Sequence, residues 1–123
     1  MGQNQKKIIA IGGGGFTHRS DEVLDKFVID QCKKKQINFG FLPTSSEDNK
    51  DKIKLFYSEL GKYNIQLSHF ELCYSSNGFE EWLIAQDIIY IGGGNTKLMI
   101  KIWEDNNLIK VFKDAYNSGV ILS

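Results

Sequence analysis

Ile88-Ile89-Tyr90-Ile91-Gly92-Gly93-Gly94-Asn95-Thr96 is a short apolar run closed by three glycines. Such a run reads as a strand buried on both faces. Leu98, Met99, Ile102 and Trp103 then recur at helical spacing, so the stretch is strand, glycine turn and helix in sequence.

The same unit repeats on either side. Upstream, residues 7–11 form an apolar run closed by glycines and read as a first strand. Ser20 is placed to cap a helix with Asp21 and Glu22 in its first turn, and Val23, Leu24, Phe27, Val28 and Cys32 share one predicted face. Residues 37–42 read as a second strand, ended by Pro43, which cannot donate to a ladder. Ile53, Phe56, Tyr57 and Leu60 mark a helix stopped at Gly61, and residues 65–72 a third strand. Ser76 or Asn77 begins a short helix through Trp82 and Leu83, and Asp87 leads into the fourth strand. Beyond Asp105-Asn106-Asn107 a helix carries Ile109, Phe112 and Tyr116, and Gly119 precedes a fifth strand, Val120-Ile121-Leu122. Strands alternating with helices require crossover connections. The expected fold is therefore α/β and doubly wound, a mainly parallel sheet with helices on both faces, with residues 1–123 forming a single domain.

Composition narrows the function. Fifteen basic residues balance fifteen acidic ones, which leaves no net field to recruit nucleic acid or an anionic membrane. Lys33, Lys34 and Lys35 are expected to complement the carboxyl end of a helix. No apolar stretch has the length of a signal-peptide core or a membrane span, so a cytoplasmic protein is expected. Cys32 and Cys73 lack metal or redox spacing and read as reduced thiols; no metal and no cofactor is expected.

In open α/β sheets, ligands bind beyond the carboxyl ends of the strands. That directs attention to residues 12–18 after the first strand, residues 43–46 after the second and residues 92–96 after the fourth. Glycines there bring backbone N–H groups close to phosphate, carboxylate or a developing oxyanion; a tight turn without a ligand explains Gly12 to Gly15 equally well. A dinucleotide fingerprint needs glycine or alanine where Thr17 or His18 stands, and Lys97 lacks the flanking residues of a P-loop. Neither nucleotide motif fits.

In its place after the fourth strand, Gly92-Gly93-Gly94-Asn95 resembles the signature loop of the peptidase E family, which shares the class I glutamine-amidotransferase-like fold. Gly119-Val120-Ile121-Leu122-Ser123 is similar to the strand that enters this family's Gly-x-Ser-Ala-Gly nucleophile elbow, and Leu42-Pro43-Thr44-Ser45 also matches. The resemblance spans nearly all of this chain and the first half or so of the family's domain. It implies a serine-type peptidase acting on short peptides, with acidic N-terminal dipeptides as one candidate class.

On that resemblance, N–H groups of Gly93 or Gly94 supply one side of an oxyanion hole, with Gly92, Asn95, Thr44 and His18 as candidate substrate contacts. The family's nucleophile would fall about three residues beyond Ser123, so Ser123 precedes the elbow. The catalytic serine and histidine are then both absent from these residues. His69, alternating with Leu67 in the third strand, is expected to be structural, and turn or cap roles explain Thr44, Ser45 and Ser46 as well as substrate contact does.

The fold is thus expected to be truncated after its fifth strand, leaving that strand exposed and favouring homo-oligomers or aggregation. Three readings follow: an inactive peptidase half-domain, a non-catalytic α/β module binding a small ligand, and an inactive truncated gene product.

Overall fold

A computed structural model describes residues 6–10 and 22–123. Its elements run α1 (Glu22–Asp30), β1 (Asn38–Leu42), a 3-10 turn (Thr44–Ser46), α2 (Lys50–Leu60), β2 (Gln66–His69), α3 (Phe79–Ile84), β3 (Ile88–Ile91), α4 (Thr96–Asp105), α5 (Ile109–Asn117) and β4 (Ile121–Leu122).

The described strands form one parallel sheet in the order β2-β1-β3-β4. Asp87 aligns its start: one carboxylate oxygen accepts the Asn38 N–H at 2.8 Å and the other meets Lys34 Nζ at 2.9 Å. Lys34 therefore serves the sheet rather than a helix end, while Lys33 reaches the Asp30 carbonyl at the end of α1.

Alternation along the strands divides the core in two. Phe39, Phe41, Ile88, Tyr90 and Ile121 face α1 and α2, where Val28, Phe56 and Leu60 meet them. Leu42, Ile89 and Val120 face the opposite layer of Phe79, Leu83, Phe112 and Ala115. Helices cover both faces, as the alternating pattern requires.

Several boundaries differ from the sequence reading. Among the described residues the first strand contributes one bridge, Ile8 with Leu122, on the far side of β4 from β3. The third strand stops at His69, since Phe70 N–H makes the last bond to β1 and Glu71 then accepts the N–H groups of Tyr74 and Ser75 in a turn. In α1 the buried stripe is Asp25, Val28, Ile29 and Cys32, the i, i+3, i+4, i+7 set, whereas Val23 is 81% and Phe27 53% exposed. Three apolar residues thus fall on the stripe beside the buried one.

The final strand is also less exposed than expected. Ile121 is fully buried and Val120 nearly so, and Leu122 exchanges backbone bonds with Lys7 and Ile9 while Ser123 bonds to β3. Both edges of β4 are paired.

Gly40 carries a packing constraint. A Cβ there would stand 2.6 Å from the Trp82 indole, whose Nε1–H donates to Ser68 Oγ at 3.0 Å across the sheet. Gly40→Ala is expected to cost about 1–3 kcal/mol by overpacking. Urea unfolding with tryptophan fluorescence checks this, the native emission changing with the displaced indole.

Candidate active site

β3 and β4 end side by side. Ile91 N–H donates to the Ser123 carbonyl at 2.6 Å and Ser123 N–H to the Ile89 carbonyl at 2.8 Å. Gly92 N–H is still committed to the sheet, donating to the Leu42 carbonyl at 3.0 Å. The chain then leaves the ladder. Gly93 and Gly94 are exposed, and their N–H groups have no partner among the described residues.

The loop after β1 holds this turn from below. Ser45, 3% exposed, accepts the Asn95 N–H on its carbonyl at 2.6 Å, and its Oγ donates to the Gly92 carbonyl. Gly94 sits over the same residue with φ +145°, where a Cβ would come within 2.3 Å of the Ser45 carbonyl oxygen. A glycine is required there by contact and by backbone angle together. At Gly93 an added Cβ meets nothing within 4 Å.

Asn95 caps α4: its Oδ1 accepts the Leu98 N–H at 3.0 Å and its carbonyl accepts from Met99. One side-chain acceptor is therefore spent on the helix. Thr44 has no solvent-exposed surface, and its hydroxyl has no partner among the described residues. Ser46 Oγ is turned back to the Pro43 carbonyl at 2.9 Å. His18 and the glycines at positions 12–15 lie outside the described residues.

On its other side the β1 loop is tied to the turn after β2. Asp48 Oδ2 accepts the Cys73 N–H at 2.9 Å, and Cys73 Sγ approaches the Thr44 carbonyl at 3.5 Å. Glu47 and Asp48 both adopt left-handed backbone angles, φ 58° and 54°. Asp48 Oδ1 is buried without a partner among the described residues. Burial raises the Asp48 carboxyl above its ordinary 3.8, opposed by the hydrogen bonds from Cys73 and reinforced by nearby Glu71. Burial, with Asp48 beside it, pushes the Cys73 thiol up to about 11, so it is not a thiolate nucleophile at neutral pH.

His69 is fully engaged. Its Nδ1 meets the Tyr57 hydroxyl at 2.7 Å and its Nε2 the Glu71 carboxylate at 3.0 Å, while burial raises the Tyr57 hydroxyl. With both ring nitrogens occupied beside α2, His69 fastens β2 to that helix. Among the described residues no group of three or more His, Cys, Asp and Glu is placed to hold a metal ion, and no helix is long and apolar enough to cross a membrane.

The glycine turn and its underlying serine stand at the carboxyl edge of a parallel sheet. Peptidase family S51 matches residues 8–123. The chain belongs to peptidase family S51. It is 34% identical over 120 residues to the uncharacterized peptidase YgaJ of Bacillus subtilis (strain 168), a match covering 96% of this chain and 52% of that relative. The crystal structure of a candidate peptidase E protein from Listeria monocytogenes EGD-e has the same fold, with a TM-score of 0.61 at 19% identity over 73% of this chain and 46% of that one. The S51 chain described here thus spans about half the length of the relative it matches.

The buried Asp48 carboxyl gives a pH prediction. Because its folded pKa is raised, the native state binds the extra proton between 3.8 and the higher folded value. Asp48 therefore favours folding in acid and loses that contribution as pH rises through its folded pKa. Asp48→Asn keeps an acceptor for Cys73 and removes the titration. Thermal melts across mildly acidic to neutral pH should show the native chain losing stability relative to Asp48→Asn as pH rises; parallel curves would contradict the assignment.

Proposed function

We propose that this chain carries the oxyanion-binding half of a serine-type peptidase site acting on short peptides. The observation behind this reading is the pair of exposed glycines, Gly93 and Gly94, whose N–H groups have no partner among the described residues, at the carboxyl end of the sheet. Membership of peptidase family S51 supports amide hydrolysis as the chemistry.

During attack on an amide, negative charge gathers on the carbonyl oxygen. Donors fixed in advance stabilise that charge without reorganising, and one such donor lowers the barrier by roughly 2.7–4 kcal/mol. Ser45 supplies the rigidity here. Its carbonyl and hydroxyl occupy Asn95 N–H and Gly92 C=O, which leaves the Gly93 and Gly94 N–H groups without a partner among the described residues.

The nucleophile and base are assigned to no described residue. Ser123 Oγ is buried and has no hydrogen-bond partner among them, so no neighbouring base activates it. His69 is spent on Tyr57 and Glu71. In the family pattern the serine follows the strand equivalent to β4, on a turn that would bring it next to the glycine loop. The chain by itself is then catalytically silent.

Two measurements test this. The purified chain should neither hydrolyse dipeptides nor be labelled by a fluorophosphonate; stoichiometric labelling at Ser123 would sink the reading. In an active S51 enzyme carrying the same loop, the Gly93→Val change covers the donor without a clash, and turnover should fall about a hundredfold or more with melting temperature held. Gly94→Ala should instead destabilise the fold by more than about 1 kcal/mol, since it forces a side chain into the left-handed region and against Ser45. Full activity in the valine variant would remove the oxyanion role.

A further inference from the structure

Asn77-Gly78 is the only Asn-Gly pair in the chain. It forms the exposed turn that enters α3, with Gly78 in the left-handed region at φ 79° and ψ 5°. Asn77 N–H donates to Ser75 Oγ at 3.1 Å, and Phe79 N–H closes the turn on the Ser76 carbonyl at 3.0 Å. Between those two bonds, the Asn77 side chain and the Gly78 N–H have no hydrogen-bond partner among the described residues. A Cβ added at Gly78 would meet nothing within 4 Å, so no neighbouring group crowds that nitrogen.

Every other described asparagine is occupied at one of the two groups that this pair leaves open, the side-chain amide or the following N–H. Asn49 and Asn95 use Oδ1 to cap α2 and α4, and Asn38 and Asn106 donate through Nδ2 to the Ala85 and Ile102 carbonyls. After Asn64, Asn107 and Asn117, the next N–H is bonded to the carbonyls of Tyr63, Trp103 and Asp114 respectively. An amide nitrogen held in such a bond must be freed by local opening before it can react with anything else.

We propose that Asn77-Gly78 is a self-modification site, where the folded chain converts Asn77 to aspartate or isoaspartate without an enzyme. The Gly78 nitrogen gives its proton to hydroxide and attacks Asn77 Cγ. A C–N bond forms, the Cγ–Nδ2 bond breaks, and ammonia leaves after taking a proton from water, which returns the hydroxide. The cyclic imide then takes up one water. Opening between the nitrogen and Cγ leaves a normal aspartyl link, whereas opening at the main-chain carbonyl leaves an isoaspartyl link with one extra methylene in the backbone. One water is consumed and one ammonia released, with no change in oxidation state. Either product adds a negative charge just before Glu80 and Glu81 in the sequence. The isoaspartyl link also lengthens the turn closed by Ser76 and Phe79, and Phe79, 1% exposed, is packed against Phe70 and Phe112.

Incubation of the folded chain in mildly alkaline buffer made with H₂¹⁸O, followed by peptide mapping with mass spectrometry, tests this. The peptide holding Asn77 should lose its amide, gain one ¹⁸O and separate by chromatography into aspartyl and isoaspartyl forms. A synthetic peptide of residues 74–80 gives the rate of the unconstrained pair. Asn77 in the chain should stay within about tenfold of that rate, whereas Asn117 should fall at least about tenfold below its own peptide, the scale of freeing one bonded amide. Gly78→Ala should slow the Asn77 reaction about tenfold or more, because a methyl group then stands beside the attacking nitrogen. Asn77→Gln should abolish the label in this peptide, and it decides the matter should the alanine variant lose its native tryptophan fluorescence. An unlabelled Asn77, a rate in the chain more than about tenfold below that of the peptide, or ¹⁸O gained by the same peptide of the glutamine variant would overturn the proposal.

Discussion

β1 lies between β2 and β3, with Phe41 opposite His69 on one side and Tyr90 on the other. That shared register makes three strands end at nearly the same level, and the loops after them meet instead of being staggered. A slip of one residue would turn Phe39 and Phe41 away from α2 and bring Gly40 to that face, so the register is fixed by burial on both sides of the sheet. Asp87 fixes the amino end of the same pairing through Asn38. The geometry of the glycine turn follows from this alignment, because it brings Ser45 to Gly92 and Asn95.

Ser45 then links loops distant in sequence. Its hydroxyl and carbonyl meet Gly92 and Asn95 on one side, while three residues further on Asp48 holds Cys73 on the other. The left-handed backbone at Glu47 and Asp48 is the cost of turning the chain from one contact to the other, of the order of 1–3 kcal/mol per residue in general. Such strain persists only where neighbouring contacts over-determine the loop. Here the Pro43 carbonyl accepts the N–H groups of both Ser46 and Asp48, and the Ser46 hydroxyl besides. The result is a well-anchored platform under Gly93 and Gly94, whose N–H groups have no partner among the described residues.

Toward α1 and α2, Phe39, Phe41, Phe56 and Tyr90 form a continuous aromatic cluster, with Phe41 stacked on Phe56 at 5.0 Å, and the polar groups at its edge are tied into Tyr57, His69 and Glu71. Toward α3, α4 and α5, packing centres on Phe79, Leu83 and Phe112.

Apolar runs bounded by glycine or proline marked β1, β3 and β4 and their parallel direction in the sequence, because a strand buried on both faces leaves a continuous apolar signature. The glycine loop and its place at the carboxyl end of the sheet followed from the same logic, whereas the peptidase family was legible only through the resemblance of that loop to the family's signature. The buried stripe of α1 was misread, since apolar residues lie on two adjacent stripes and only docking against Phe39 and its neighbours selects one. The weak first strand and the shortened β2 depended on partners far along the chain. Nothing in the residues 44–48 distinguished Ser45 as the support of the glycine turn or Asp48 as a buried carboxyl, because serine and aspartate are common in every turn. Sequence determines what a residue can bond to, whereas which of those bonds is made depends on which loops the sheet register brings within about 3 Å of each other.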